Sequence, residues 1–323
     1  MLDAHKSNIG FGTAAIGRPL YINIKQNTEG LIDPFSLSKF KARGVQVLED
    51  AYNRGIRYFD TAPGYGLAEK LLLDWLQTKN DPSIVVSTKW GYTYVANFDP
   101  EATQHEIKEH SLSKLNVQWK VSKKLLPSLK VYQIHSATFD TGVLNNEPIL
   151  QRLHQIKTEN GLVIGLTTTG ANQIEVLKKA LSIEISGEKL FQSFQCTFNI
   201  LDQSVSLLKK ELKALEGPFI IKEALANGRL IPNEKYSKYT NVYNFMAVLA
   251  KKYKVAVDAI ALRYCMDHFH KAIVLSGVNN KDHLRSNLKA STFVLTALEL
   301  EQLNAFGLTS EDYWQERKRL AWN

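Results

Sequence analysis

Ile56-Arg57-Tyr58-Phe59-Asp60 is a short run rich in β-branched and aromatic residues that ends on a carboxylate. Thr61-Ala62-Pro63-Gly64-Tyr65-Gly66 follows, with the proline and glycines of a turn, and then an amphipathic stretch from Ala68 to Thr78. Strand, turn and helix in that order form the repeating unit of a parallel α/β fold. Seven further runs of the strand type lie at Ile9 to Thr13, Ile84 to Thr88, Val131 to His135, Val163 to Thr167, Ser193 to Thr197, Phe219 to Lys222 and Ala272 to Ser276. Between them lie amphipathic segments at Ser38 to Asn53, Pro148 to Asn160, Ala171 to Leu181, Val242 to Tyr253 and Asp282 to Lys289. The segment Gln104 to Lys130 exceeds what one such helix requires and carries two helical patterns, Ile107 to Leu115 and Val121 to Leu129.

Eight strand-helix units predict a (β/α)8 TIM barrel, because eight repeats close without leaving edge strands. A doubly wound sheet is disfavoured: Gly10, Gly12 and Gly17 are spaced G-x-G-x-x-x-x-G and miss the glycine fingerprint of the dinucleotide-binding turn. No Pro-, Ser- or Gly-rich linker divides the 323 residues, so a single domain over 1–323 is expected.

Forty Lys and Arg against 32 Asp and Glu give a net charge of +8. The basic residues are scattered, and the densest stretches, Lys120 to Lys124 and Arg317 to Arg319, read as solvated helix faces; no nucleic-acid partner is expected. Cys196 and Cys265 stand in no CxxC or Cys/His cluster, which predicts buried thiols and no metal site. Met1 to Asn8 is polar, and no apolar run approaches the ~20 residues that span a bilayer, so a cytoplasmic protein without a membrane contact is expected. His154, His268, His270 and His283 read as surface or satisfied structural histidines.

In a barrel the strand carboxyl ends build the active site. Here those ends are polar in succession: Asp60, Lys89, His135, Thr167 and Thr168, then Gln195 and Asn199, then Lys222 and Glu223. Any one of these has an ordinary explanation, since the chain emerges into water there. The set carries more, because an acid, a base, an imidazole and the phenol of Tyr65 leave three successive strands on one face. An ammonium beside a phenol favours the phenolate, a carboxylate beside the ammonium fixes it, and an imidazole can donate to a carbonyl oxygen. That equipment stabilises an alkoxide formed when hydride reaches a carbonyl carbon.

Asp60-Thr61-Ala62-Pro63-Gly64-Tyr65-Gly66-Leu67-Ala68-Glu69 resembles the D-T-A-x-x-Y-G-x-x-E segment of the aldo-keto reductase superfamily. Gly10-Phe11-Gly12-Thr13, Ser87-Thr88-Lys89 and Tyr132-Gln133-Ile134-His135 resemble that family's first, third and fourth strands. Gly161 to Thr168, Gln195 to Leu201, Leu225 to Leu230 and Ser276 to Asn287 are similar to its later turns, in order along the chain. The resemblance implies an NAD(P)H-dependent oxidoreductase acting on an aldehyde, ketone or sugar, or running the reverse oxidation, without a Rossmann domain. It implies Tyr65 as general acid and base, Lys89 lowering its pKa, Asp60 anchoring Lys89, and His135 orienting the substrate carbonyl. It also implies Gly12, Thr13, Gln195, Thr167, Thr168 and Lys222 around the nicotinamide, and Gly277, Asn279, Lys281, His283 and Asn287 around the adenosine.

Three departures from the family pattern stand out. Thr167-Thr168 replaces the usual Ser-Asn, Lys222 sits where an aromatic often stacks on nicotinamide, and Gly277-Val278-Asn279-Asn280-Lys281 offers one cation, with His283 at a frequent arginine position. NADP(H) is favoured over NAD(H) only slightly, since a 2′-phosphate normally calls for several charge-assisted bonds and this turn offers one cation. Trp90 and Tyr92 are candidate walls of the substrate pocket, and the tail bearing Trp314 and Trp322 a candidate cover. The alternative reading is a cofactor-sensing regulatory or binding subunit on the same barrel; a Schiff-base isomerase or aldolase using Lys89 is a third.

Overall fold

In the computed structural model, residues 8–20, 35–99 and 101–322 are described; the expectation for the polar segment Met1 to Ser7 lies outside them. Among the described residues, twelve strands run in chain order: β1 (Ile9–Gly12), β2 (Tyr58–Asp60), β3 (Val85–Trp90), β4 (Tyr92–Tyr94), β5 (Glu106–Lys108), β6 (Leu129–Ala137), β7 (Val163–Thr168), β8 (Glu184–Ile185), β9 (Glu188–Lys189), β10 (Ser193–Thr197), β11 (Phe219–Lys222) and β12 (Ile273–Ser276). The helices are α1 (Ala14–Gly17), α2 (Leu37–Asn53), α3 (Ala68–Leu76), α4 (Leu112–Ser122), α5 (Glu147–Asn160), α6 (Gln173–Ser182), α7 (Lys209–Lys213), α8 (Thr240–Tyr253), α9 (Val257–His268), α10 (Lys281–Leu288), α11 (Ala297–Asn304) and α12 (Ser310–Lys318).

Eight strands close into a barrel in the order β1-β12-β11-β10-β7-β6-β3-β2, all paired in parallel. Each of the eight runs read from the sequence became one of them, because a strand buried on both faces must be apolar nearly throughout. Side chains alternate between barrel interior and helix layer. Inside, Tyr58, Ile220 and Ile273 pack with Val85 and Leu275 to plug the base. Outside, Phe59 meets Trp75 of α3 at 5.2 Å between ring centroids, part of the main core between barrel and helices. Cys196 and Cys265 are buried free thiols.

The segment 104–130 departs from its reading. Ile107 lies in β5, which pairs antiparallel with β4, and Leu129 opens β6. One helix, α4, stands where two patterns appeared, its start set by Ser111, whose hydroxyl accepts from the Lys114 amide. Apolar residues at helical spacing are thus shared among a hairpin, a helix and a strand, and tertiary pairing overrode the local period.

Two glycines place the turn that carries Tyr65. Gly17 passes so close to the Pro63–Tyr65 turn that a Cβ on it would sit 2.0 Å from the Tyr65 carbonyl oxygen and 2.6 Å from the Ala68 nitrogen. The Gly17 carbonyl accepts from the Leu67 amide at 2.8 Å, and Gly66 turns with φ of +63°. Backbone meets backbone there, so a side chain has nowhere to go. Gly17→Ala should lower stability by about 1–3 kcal/mol, the cost of overpacking, read as a lowered urea midpoint at unchanged slope. A midpoint equal to wild type would show that this crossing is loose.

Candidate active site

The barrel brings Asp60, Lys89 and His135 to the carboxyl ends of the neighbouring strands β2, β3 and β6, with Tyr65 on the turn after β2. The Lys89 ammonium, fully buried, lies 2.5 Å from Asp60 Oδ2, donates to the Thr61 carbonyl at 3.0 Å, and stands 4.8 Å from the centre of the Tyr65 ring. The other carboxylate oxygen, Oδ1, accepts from Ser87 Oγ at 2.7 Å and from Gln195 Nε2 at 2.8 Å. Gln195 belongs to β10, on the far side of the barrel, so this carboxylate ties the interior together. A buried ion pair persists only when hydrogen bonds satisfy its remaining valences, and Ser87, Thr61 and Gln195 do so. The His135 ring stands edge-on to Tyr65 at 5.4 Å and tilted against Tyr92 at 4.6 Å.

Electrostatics set the protonation states. Burial first, and then the Asp60 carboxylate, holds the Tyr65 phenol well above its usual range; Arg18 opposes them. The net direction is upward, opposite to the lowering expected from Lys89, because burial disfavours the phenolate and Asp60, which engages that ammonium, adds its own negative charge. His135 is pushed far down by burial and then by Lys89 and Arg18, so its imidazole is neutral, and its Nδ1 is buried without a hydrogen-bond partner. His110, pushed down to about 4 by burial, sits on the His135 carbonyl at 2.9 Å.

Several expected contacts are rearranged. Trp90 does not wall the pocket: its ring is fully buried, edge-on to His110 beneath the site, while the half-buried Tyr92 faces His135. Thr168 is committed to the helix layer, donating to Gln173 Oε1 at 3.0 Å; Thr167, paired with Gln195 across the β7–β10 ladder, accepts from the Ser136 amide at 2.7 Å. Thr13 donates to the Asp60 carbonyl at 3.0 Å, and Gly12 pairs with Asp60. Lys222 reaches Thr197 Oγ1 at 2.9 Å, its pKa lowered chiefly by burial.

Arg18, Glu106 and His105, which the sequence did not single out, complete the mouth together with Glu223 and the tail tryptophans Trp314 and Trp322. Arg18 is 4% exposed and pairs with Glu106 of β5 at 2.7 Å. Trp322 of the tail stacks on His105 at 4.4 Å. Trp314 is buried and donates to Asp202 Oδ2 at 3.1 Å. Glu223, with a left-handed φ of +56°, accepts from Arg317 Nη2 at 2.9 Å and from Tyr313 at 3.3 Å, docking α12 over the strand ends. Nothing in the one-dimensional pattern pairs residue 223 with residue 317.

At the edge of the barrel, Gly277, Asn279, Lys281 and His283 are exposed around the start of α10, and Asn287 is buried. Asn287 Nδ2 donates to Ser276 Oγ at 2.9 Å while its Oδ1 is buried without a partner, an acceptor suited to an exocyclic amine of a purine. A Cβ on Gly277 would meet no atom within 4 Å, so space lies open beside this turn. From α2, Arg43 Nε donates to the Asn279 carbonyl at 3.2 Å and adds a cation there. These residues fit an adenosine nucleotide. Among the described residues no group of His, Cys, Asp and Glu is arranged to hold a metal ion, and no helix is long and apolar enough to cross a membrane.

The model described as "Aldo/keto reductase family" matches residues 8–307. The chain is 60% identical over 47 residues to a D-threo-aldose 1-dehydrogenase of Pseudomonas sp and 40% identical over 85 residues to a pyridoxal 4-dehydrogenase of Microbacterium luteolum. These matches span 14% and 26% of this chain, and only 14% and 20% of those two relatives. Among solved structures, an aldo-keto reductase from Bacillus halodurans in its holo form shares the fold with a TM-score of 0.68 at 19% identity, over 95% of this chain and 94% of that one. A glycerol dehydrogenase from Gluconobacter oxydans does so with 0.69 at 19% identity, over 94% and 92%.

Lys222 and Arg317 hold the Glu223 carboxyl down at about 2 despite its burial. A carboxylate with a depressed folded pKa contributes stability above its ordinary value near 4.5, and that contribution disappears as pH falls toward about 2. Glu223→Gln should therefore cost about 3 kcal/mol near neutral pH, through the charges it leaves unpaired. Denaturation midpoints of the two proteins should converge between pH 4.5 and 2; a pH-independent difference would assign the loss to packing instead.

Proposed function

The chain belongs to the aldo/keto reductase family, and from that premise we propose that it is a nicotinamide-dependent oxidoreductase, one continuous barrel domain, interconverting an aldehyde, ketone or sugar carbonyl with its alcohol. The observation that carries this reading is the buried Lys89–Asp60 pair 4.8 Å from the centre of the Tyr65 ring, with a neutral His135 edge-on to the same ring at 5.4 Å.

When bound, the nicotinamide cofactor used by this family donates or accepts the hydride. The chain's own residues manage the oxygen and its proton. Tyr65, kept neutral by its surroundings, donates the phenolic proton to the carbonyl oxygen during reduction; in oxidation the phenol must first lose its proton, and the phenolate then takes the proton of the hydroxyl. The neutral imidazole of His135 has one N–H to offer the same oxygen and adds no positive charge of its own. Lys89 supplies a positive field that Asp60 fixes in place. Gln195 and Thr167, paired across the β7–β10 ladder, would hold the carboxamide, and Gly12, Thr13 and Lys222 are the other residues assigned to the cofactor's nicotinamide end.

Asn287, Asn279, Gly277, Lys281 and His283 would receive the adenosine end. The addition of Arg43 to Lys281 supports the slight preference for NADP(H), because a 2′-phosphate then meets two cations in place of one. As for substrates, the aldose and pyridoxal dehydrogenases matched over short stretches and the glycerol dehydrogenase of like fold support small polar carbonyls and polyols. Tyr92, Trp322, Arg18 and Glu106 around the mouth suit such molecules.

Tyr65→Phe should lower kcat by about 10²- to 10⁴-fold for a panel of aldehydes, ketones and sugars, with NADPH and NADH dissociation constants, read by fluorescence titration, unchanged. Undiminished turnover would remove Tyr65 from the role assigned to it. Arg43→Ala should weaken NADPH binding by about tenfold, the loss of one charge-assisted contact, and leave NADH binding within about twofold. An equal loss for both cofactors would mean that Arg43 only shapes the turn.

A further inference from the structure

We infer that Arg18 is a positioning residue for Tyr65, and that the β4–β5 hairpin, through Glu106, holds Arg18 in place and so belongs to the catalytic apparatus. The inference takes Tyr65 as the proton donor and acceptor.

Geometry carries it. Arg18 Nη1 donates to the carbonyl of Gly64, the residue before Tyr65, at 3.2 Å, and to Glu106 Oε2 at 2.7 Å. Its guanidinium carbon lies 5.4 Å from the centre of the Tyr65 ring and 4.7 Å from that of Trp322. Trp322 in turn stacks on His105, the residue before Glu106. The buried cation is therefore held on the turn and the hairpin, between the phenol ring and the tail. The hairpin also packs directly on the turn: a Cβ on Gly64 would lie 2.8 Å from Tyr92 Cβ. Tyr92 is the hairpin residue against His135. One hairpin thus contacts both groups assigned to the substrate oxygen, the imidazole directly and the phenol through Arg18.

Charge explains why such a cation is needed. The charged and titratable groups around Tyr65 are Asp60 of β2, Lys89 of β3, Glu106 of β5, His135 of β6, Glu223 after β11, and Arg18. Asp60 already engages Lys89, and His135 is neutral. Asp60, Glu106 and Glu223 disfavour a phenolate, and Arg18 favours it. Removing Arg18 leaves the anions unopposed, whereas removing the Glu106 charge leaves Arg18 uncompensated. The two changes should shift the phenol in opposite directions.

The test follows kcat for alcohol oxidation against pH in wild type, Arg18→Gln, Arg18→Lys and Glu106→Gln, alongside Tyr65→Phe and fluorescence titration with NADPH. For oxidation the phenol must accept a proton, so the rate rises with pH below its pKa, by tenfold per unit. Arg18→Gln should move the rising limb to higher pH and cut kcat at neutral pH by roughly tenfold, a one-unit shift. Glu106→Gln should move it to lower pH, and Arg18→Lys should restore most of the Arg18→Gln loss, with NADPH affinity unchanged throughout. Profiles that superimpose on wild type would overturn the inference, as would shifts of the same sign in Arg18→Gln and Glu106→Gln. If Arg18→Gln does not fold, the direction of the Glu106→Gln shift and the wild-type-like profile expected of Arg18→Lys decide the matter. Turnover retained by Tyr65→Phe would instead place the failure in the underlying reading of Tyr65.

Discussion

A lysine ammonium fully buried inside the barrel has to be answered by negative charge and hydrogen bonds, and much of the site is arranged around that requirement. Lys89 is wholly enclosed, and an ion pair at such depth loses more hydration than Coulomb attraction alone returns. Asp60 satisfies it at the end of the adjacent strand, Ser87 and Gln195 satisfy Asp60, and Gln195 reaches from the opposite side of the barrel to do so. After burial, the same carboxylate pushes the Tyr65 phenol further upward, so the group that stabilises Lys89 also helps to keep the phenol protonated.

Around this pair the mouth is built from segments added to the eight repeats. The hairpin of β4 and β5 brings Tyr92 to His135 and Glu106 to Arg18. The C-terminal helix α12 is clamped by the buried Arg229, which donates to the Tyr313 carbonyl at 3.2 Å and pairs with Glu316 at 3.1 Å, and by Arg317 on Glu223. Walls fastened by buried ion pairs hold a fixed shape, which suits recognition by oriented hydrogen bonds more than adaptation to apolar guests.

The strands were legible because each lies between barrel interior and helix layer, which forces a short apolar run such as Ile56 to Asp60 or Phe219 to Lys222. Asp60, Lys89 and His135 were legible because polar residues at the carboxyl ends of such runs have few other places to point. Trp90 misled: its position after Lys89 suggests a pocket wall, yet strand alternation turns it into the core. Ile107 misled in the same way, since a helical spacing of apolar residues does not distinguish a helix from a hairpin followed by a helix.

The sequence by itself determined the eight-unit barrel and the residues that face its open end, since both follow from local periodicity and from the repeat that carries it. Tertiary structure alone decided the electrostatics. The pairs Arg18 with Glu106, Glu223 with Arg317 and Gln195 with Asp60 join residues 88, 94 and 135 positions apart. Burial and partners at such separations, not residue types, set the protonation states of Tyr65, His135 and Glu223. A field summed over charges from distant strands has no signature in the order of residues along the chain.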